Sequence, residues 1–316
     1  MALPWRVRAL GWAVRTAVGP YATISPAKRR VLQAHTGPAW LGHVLNGRPD
    51  PDATGTERAI PGPAGSVPTR VYRPRHRAGG LPVVVAVPGG GFTYSHPDNS
   101  AWLASRLCTR LPAFVLVPAH RRPPADPAPA AGEDCYAVTA WAAANAALLG
   151  GDGDRLAVVG ESSGATLAAA VTLRARERGG PGIRAQALLQ GTFDLTPSAP
   201  SMHAPVSWPF GRPRDLPDLA RAYVGAGDPA DPAVSPLLAE SHAGLPPAFV
   251  LTPDHDYLRE ETERYAAALV RDGVPVAHAH YRDSPHGIFS FPSWCWASGP
   301  ALDRLVAFLR RRLSDS

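Results

Sequence analysis

The chain predicts an α/β fold in which a mostly parallel sheet is covered by helices on both faces. Three observations lead there. Short, nearly continuous apolar runs, such as residues 81–87 and 113–117, read as strands buried on both sides. They alternate along the chain with longer stretches of helical spacing, the pattern that builds strand-helix-strand units. One run, residues 156–159, strikes Gly160-Glu161-Ser162-Ser163-Gly164 and passes straight into an alanine-rich, proline-free segment, which reads as strand, sharp turn and helix.

Taken in order, residues 1–52 have helical spacing interrupted at Pro20, Pro26 and Pro38 and no strand signal. Such short pieces are expected to lean on the main body. Residues 57–74 read as two extended runs about a Pro/Gly turn, a hairpin, with residues 75–80 as linker. The strand at 81–87 ends in Pro88-Gly89-Gly90-Gly91-Phe92, where several backbone N–H groups stand free of side chains, as an anion or oxyanion requires. A helix near 101–111, a strand at 113–117, a proline-rich stretch to 129 and a helix over 133–149 lead to the glycine-flanked serine. A strand follows at 185–190. Residues 196–232, rich in Pro and holding Trp208, Phe210 and a helical piece at 219–223, read as an insertion. A strand at 247–252, Asp256, a helix at 259–272 stopped by Gly273, a strand at 276–281 and Asp283-Ser284-Pro285-His286-Gly287 come next. A helix with Leu302, Leu305, Val306 and Leu309 on one face closes the chain. Right-handed crossovers place the carboxyl ends of parallel strands on one edge, so the glycines, Ser162, Asp256 and His286, all of which follow strands, converge there.

Composition narrows the function classes. With 316 residues and 45% hydrophobic content the chain builds a sizeable core, and its 36 Pro and 30 Gly punctuate apolar runs without forming a low-complexity tract. The net charge of +6 reads as arginines scattered along the chain with short clusters such as Lys28-Arg29-Arg30 and Arg310-Arg311-Arg312, which suit solvated helix faces and no nucleic-acid function. Cys108, Cys135 and Cys295 are far apart, with no CxxC and no histidine at metal spacing, which fits a reduced, cytoplasmic protein. No window approaches the roughly 20 apolar residues of a membrane span, and no stable membrane insertion is expected. The basic start, with Trp5 and Trp12 among Arg6, Arg8 and Arg15, suits a membrane surface or a helix packed on the domain, and the packed helix is the expectation.

A serine hydroxyl needs an adjacent base to act as a nucleophile, and histidine is the suitable one near neutrality. His286 is preferred because it lies in a loop after the last strand. His278 and His280 sit within that strand, His120 precedes the serine, and His242 and His255 read as surface-loop residues. A carboxylate must hold the imidazole in one tautomer and stabilise its charged form. Asp254 and Asp256 compete for that role, and spacing does not separate them. The chain order Ser, Asp, His is that of α/β-hydrolases.

At this point the chain resembles the hormone-sensitive lipase-like family of α/β-hydrolases from about residue 57 onward. IPGPAGSVPTRVYRP resembles the family's opening hairpin, PGGGF its HGGGF, and GESSGATLA its GDSAGGNLA. DPAVSPLLAE and LPPAFVLTPDHDYLREE resemble the stretch ending in DPLRDE, and HYRDSPHGIF the loop with the catalytic histidine. The resemblance implies Ser162 as nucleophile, His286 as base and Asp256, not Asp254, as its partner. It implies an oxyanion hole from the N–H groups of Gly90, Gly91 and Ser163. It also implies a helical cap made of residues 1–52 with an insertion at about 196–223 on a catalytic domain of residues 53–316, and Trp40, Trp208 and Phe210 as an apolar wall over the substrate pocket. The implied activity is hydrolysis of a small or medium-sized carboxylic ester through an acyl-enzyme, with no cofactor or metal, in a monomer or homodimer. N-deacylation, acyl transfer, a cyclase or lyase reaction and non-catalytic ligand binding are the alternatives. Four departures stand out: Pro88 for the motif histidine, Glu161 for Asp, Ala165-Thr166 for Gly-Asn, and Ala119-His120-Arg121-Arg122-Pro123-Pro124-Ala125 for DYRLAPE.

Overall fold

Alternation along the strands sorts the apolar side chains onto two faces of one sheet, and that sorting places everything else. The structure, a computed structural model, describes residues 3–34, 39–76, 79–204 and 212–314. Strands β1 (Ala53–Gly62) and β2 (Gly65–Pro74) form an antiparallel hairpin. They are followed by β3 (Leu81–Val87), β4 (Phe114–Pro118), β5 (Gly151–Glu161), β6 (Ala185–Leu189), β7 (Ala248–His255) and β8 (Val276–Pro285). The sheet order is β1-β2-β4-β3-β5-β6-β7-β8, with β2 antiparallel to β4 and all later neighbours parallel. On β3, Val83, Val85 and Val87 enter one core while Val84 and Ala86 enter the other. On β5, Leu156 and Val158 part from Ala157 and Val159 in the same way. All of these side chains are at most 2% exposed, which is the signature of a sheet covered twice.

Helices α5 (Ala130–Asn145), α6 (Ser163–Glu177), α7 (Leu216–Val224) and α8 (Arg259–Arg271) contribute to the first core. Helices α4 (Ala101–Arg110) and α9 (Ser298–Leu313) contribute to the second. Ahead of the sheet lie α1 (Trp5–Val18), α2 (Pro26–Ala34) and α3 (Ala39–Asn46). Among the described residues of this segment the buried apolar side chains, Val7 on α1 and Tyr21 and Ile24 between α1 and α2, belong to neither core. Polar ties join this segment to the body beside the edge-on contact of Tyr21 with Tyr94: Gln33 Nε2 donates to Thr93 O (2.9 Å), and Arg122 Nη1 donates to Gln33 O (2.9 Å) and Ser95 O (3.0 Å).

Several expectations shift. The helix expected to run to residue 149 stops at Asn145 and tightens into a 3-10 turn over Ala146–Leu149, ended by Gly150 in the left-handed conformation (φ 83°). The strand leading to Ser162 begins at Gly151, five residues ahead of the apolar run, and β8 extends four residues past 281 to Pro285. His242 is no surface residue. It is fully buried, with Nδ1 3.1 Å from Asp272 Oδ2 and Nε2 2.9 Å from Pro236 O. Its position in a loop hides a pairing that forms only when the C-terminal end of α8 closes against that loop.

Candidate active site

The turn from β5 to α6 is possible because two glycines remove the atoms that would block it. A Cβ on Gly160 would run into the carbonyl of Gly164, and one on Gly164 into the carbonyl of Val87 on β3. Ser162 between them is held at φ 57°, ψ −128°, a conformation disfavoured for a residue with a side chain. Its N–H donates to Leu189 O (2.8 Å) and its carbonyl accepts from Ala165 N (2.8 Å), so the bonded neighbours fix the strained residue.

The hydroxyl so presented lies 2.9 Å from His286 Nε2. His286 Nδ1 lies 2.9 Å from Asp256 Oδ1, and both side chains are almost wholly buried. Burial, the largest influence on His286, disfavours the imidazolium, but the charge and hydrogen bond of Asp256, helped by the charge of Glu161, outweigh it and leave the pKa raised. Asp256 also accepts from Leu258 N (2.9 Å) at Oδ1, which orients the carboxylate. The rival, Asp254, faces elsewhere. Its Oδ1 accepts from His280 Nε2 (2.8 Å) and its Oδ2 from Asp283 N (3.0 Å), at a residue with φ 51°. The N–H of Asp283, against burial and with help from His280 and Arg259, holds the Asp254 carboxyl below its usual range. Asp254 thus clamps the backbone three residues ahead of His286.

Two further side chains hold the histidine loop from the sheet side, in roles that only their partners across the fold define. Glu161, buried, accepts from Phe289 N (2.9 Å) and Ser290 Oγ (2.6 Å). Burial raises its pKa, and those two hydrogen bonds work against the rise. Gln190, fully buried at φ 57°, accepts from Gly287 N (2.6 Å) through Oε1.

Across from the serine, Gly90 lies at φ 135° and Gly91 at φ 56°. A Cβ on Gly90 would come within 2.6 Å of Tyr94 C and Ser95 N, so only glycine fits. Their carbonyls turn back into the loop and accept from Tyr94 N (2.8 Å) and Thr93 N (2.6 Å). Among the described residues, the N–H groups of Gly90, Gly91 and Ser163 donate to no other group. Ser163 opens α6, whose amino end adds positive potential. Where the motif histidine is replaced by Pro88, Asn99 supplies the clamp, its Nδ2 donating to Gly89 O (2.9 Å) and Tyr94 O (3.0 Å). Leu219 of α7 sits over the loop, with Cδ1 3.1 Å from where a Cβ of Gly91 would lie.

Of the expected apolar wall, Trp40 is on α3 with 67% of its surface exposed, and Trp208 and Phe210 lie outside the described residues. Among the described residues no three His, Cys, Asp or Glu side chains form a group able to hold a metal ion.

Known proteins share this architecture. Residues 84–290 match a family described by its α/β-hydrolase fold. The carboxylic ester hydrolase LipN of Mycobacterium tuberculosis is 37% identical over 82% of this chain and 70% of its own length. The esterase LipI of the same organism is 33% identical over 82% of each. Among solved structures, the hyperthermophilic esterase of the archaeon Pyrobaculum calidifontis superposes with a TM-score of 0.87 at 28% identity, covering 98% of this chain and 99% of that one. A thermostable esterase from Pseudomonas putida gives 0.87 at 27% identity, over 100% and 99%.

Proposed function

Because this chain belongs to the hormone-sensitive lipase-like family of α/β-hydrolases, we propose that it cleaves small or medium-sized carboxylic esters with Ser162 as nucleophile. The observation that carries this reading is the unbroken line from Ser162 Oγ through His286 to Asp256, each link 2.9 Å, in front of three N–H groups.

His286 Nε2 takes the proton as Ser162 Oγ bonds to the ester carbonyl carbon, and the carbonyl oxygen becomes an oxyanion received by the N–H groups of Gly90, Gly91 and Ser163. Asp256 stabilises the imidazolium without taking its proton. The oxyanion collapses, the bond to the alcohol oxygen breaks, and the proton on Nε2 passes to the departing alkoxide. Water then gives a proton to Nε2, attacks the acyl-serine, and the acid leaves as Ser162 recovers its hydrogen. No step calls for a cofactor.

Residues 1–52 and the insertion at about 196–223 act as the cap over this site, on a catalytic domain of residues 53–316. Leu219 limits the space above Gly91, with Trp40, Trp208 and Phe210 as the cap aromatics. Every reacting group comes from one chain, so a monomer or a homodimer serves equally. Three free, buried thiols suit a reducing compartment, the cytoplasm. A fluorophosphonate probe tests the nucleophile: covalent labelling is expected on the peptide bearing Ser162 and absent in Ser162→Ala. Folded protein that takes no label at Ser162 overturns the reading.

A further inference from the structure

The exposed apolar residues and the positive charge of this protein fall in the same place. Among the described residues, the large apolar side chains left open before the sheet are Trp5, Trp12, Val31, Trp40, Leu41 and Val44. The first 49 residues also hold seven Arg or Lys and no Asp or Glu, against a net +6 for the whole chain. The excess charge is therefore concentrated here and not scattered along the chain, and the remainder is close to neutral. On α1 the two features interleave. Trp5 is 80% and Trp12 64% exposed, while Val7 and Gly11 face inward. At 100° per residue Trp5, Arg8 and Trp12 fall within about 60° of arc, one stripe along the helix.

We propose that α1 docks this protein peripherally on an anionic lipid bilayer, with Trp5 and Trp12 entering the interface and Arg6 and Arg8 meeting headgroup phosphates. Indole rings favour the boundary between headgroups and acyl chains, and cations beside them add attraction to anionic lipid. No described helix is long and apolar enough to cross a membrane, so α1 lies in the plane of the surface. It is also fastened to the rest of the molecule. Lys28 Nζ donates to Ala17 O (2.8 Å) and Arg212 Nη2 to Arg15 O (3.1 Å), so a docked α1 brings the whole body with it. A second copy of the chain is a poor occupant, since two such faces carry like charge and repel. The consequence is that acyl substrates dissolved in a membrane reach the molecule on the side of its N-terminal helices.

Co-sedimentation of the full chain with extruded vesicles tests this. Vesicles with about 30% phosphatidylglycerol in phosphatidylcholine are expected to bind at least about tenfold more tightly than pure phosphatidylcholine near 0.1 M salt, and less tightly near 0.5 M. The pair Arg6→Gln and Arg8→Gln lowers that binding by about 25-fold, roughly fivefold for each charge near the surface. The pair Trp5→Ser and Trp12→Ser lowers binding to either vesicle, while hydrolysis of a water-soluble p-nitrophenyl ester is unchanged. Active protein that stays in the supernatant with phosphatidylglycerol vesicles overturns the proposal, as does binding indifferent to the tryptophan pair. So does a dimer in sedimentation velocity that the tryptophan pair splits without altering vesicle binding, because α1 is then a subunit contact.

Discussion

His286 titrates under two opposed influences, and the balance between them sets the pH at which the site works. Burial, the larger single influence, holds the imidazole neutral, yet the charges of Asp256 and Glu161 together with the Asp256 hydrogen bond leave its pKa above the usual imidazole range. A general base acts only when neutral, so kcat/KM rises with pH through that pKa. The midpoint of the acid limb is expected above the usual histidine value. Asp256→Asn removes the nearer charge and leaves burial dominant, so the midpoint moves to lower pH while the rate falls about 10⁴-fold through loss of the oriented tautomer. Glu161→Gln removes the remoter charge but keeps an acceptor for Phe289 N, while its new amide N–H reverses the hydrogen bond that Ser290 Oγ donates to the carboxylate. Its midpoint moves the same way by less, and the rate changes by no more than about tenfold. Profiles of kcat/KM against pH for the three proteins check the order, and a midpoint indifferent to Asp256→Asn contradicts the electrostatic account.

At the scale of elements, the close approach of α6 to β3 depends on one missing methyl group. A Cβ on Gly164 meets the Val87 carbonyl, which belongs to backbone and has nowhere to move. Gly164→Ala is expected to cost about 3 kcal/mol or more by driving helix from strand. At this size that is a fall in Tm of roughly 5–10 °C by circular dichroism. Gly182→Ala, with nothing within 4 Å of the added carbon, is the neutral control. This turn was readable before any coordinates because glycine spacing and apolar runs are local signals, and the parallel strands were readable for the same reason. The choice between Asp254 and Asp256 was not readable from spacing, and only the resemblance to DPLRDE made it. The register of β7 against β8 shifts between Pro253 and His255, so alternation alone does not say which way each carboxylate turns. Gln190, Leu219 and the buried His242–Asp272 pair were hidden too, since each is defined by a partner from another element.

On the scale of the whole molecule, the N-terminal helices touch the catalytic machinery without sharing its cores. Both cores are built from buried residues from Ile60 onward, whereas Val7, Tyr21 and Ile24 pack outside them. The same segment reaches the glycine loop through Gln33, which donates to Thr93 O, and through the Tyr21 hydroxyl, 3.5 Å from Thr93 Oγ1. Thr93 N in turn donates to Gly91 O, so the segment bears on one of the residues whose N–H would receive the oxyanion. Stability and activity should therefore separate when it is removed. A protein lacking residues 1–48 is expected to keep one cooperative melt, because the sheet and its two cores are intact. Its kcat/KM for a small p-nitrophenyl ester should fall between about 10- and 100-fold, the cost of misplacing oxyanion donors by a fraction of an ångström to an ångström. Fluorophosphonate labelling of Ser162 should slow in parallel, since it relies on the same donors. If the shortened protein melts without cooperativity, the helices are part of the core after all. If it keeps full activity, the ties to Thr93 do not position the loop.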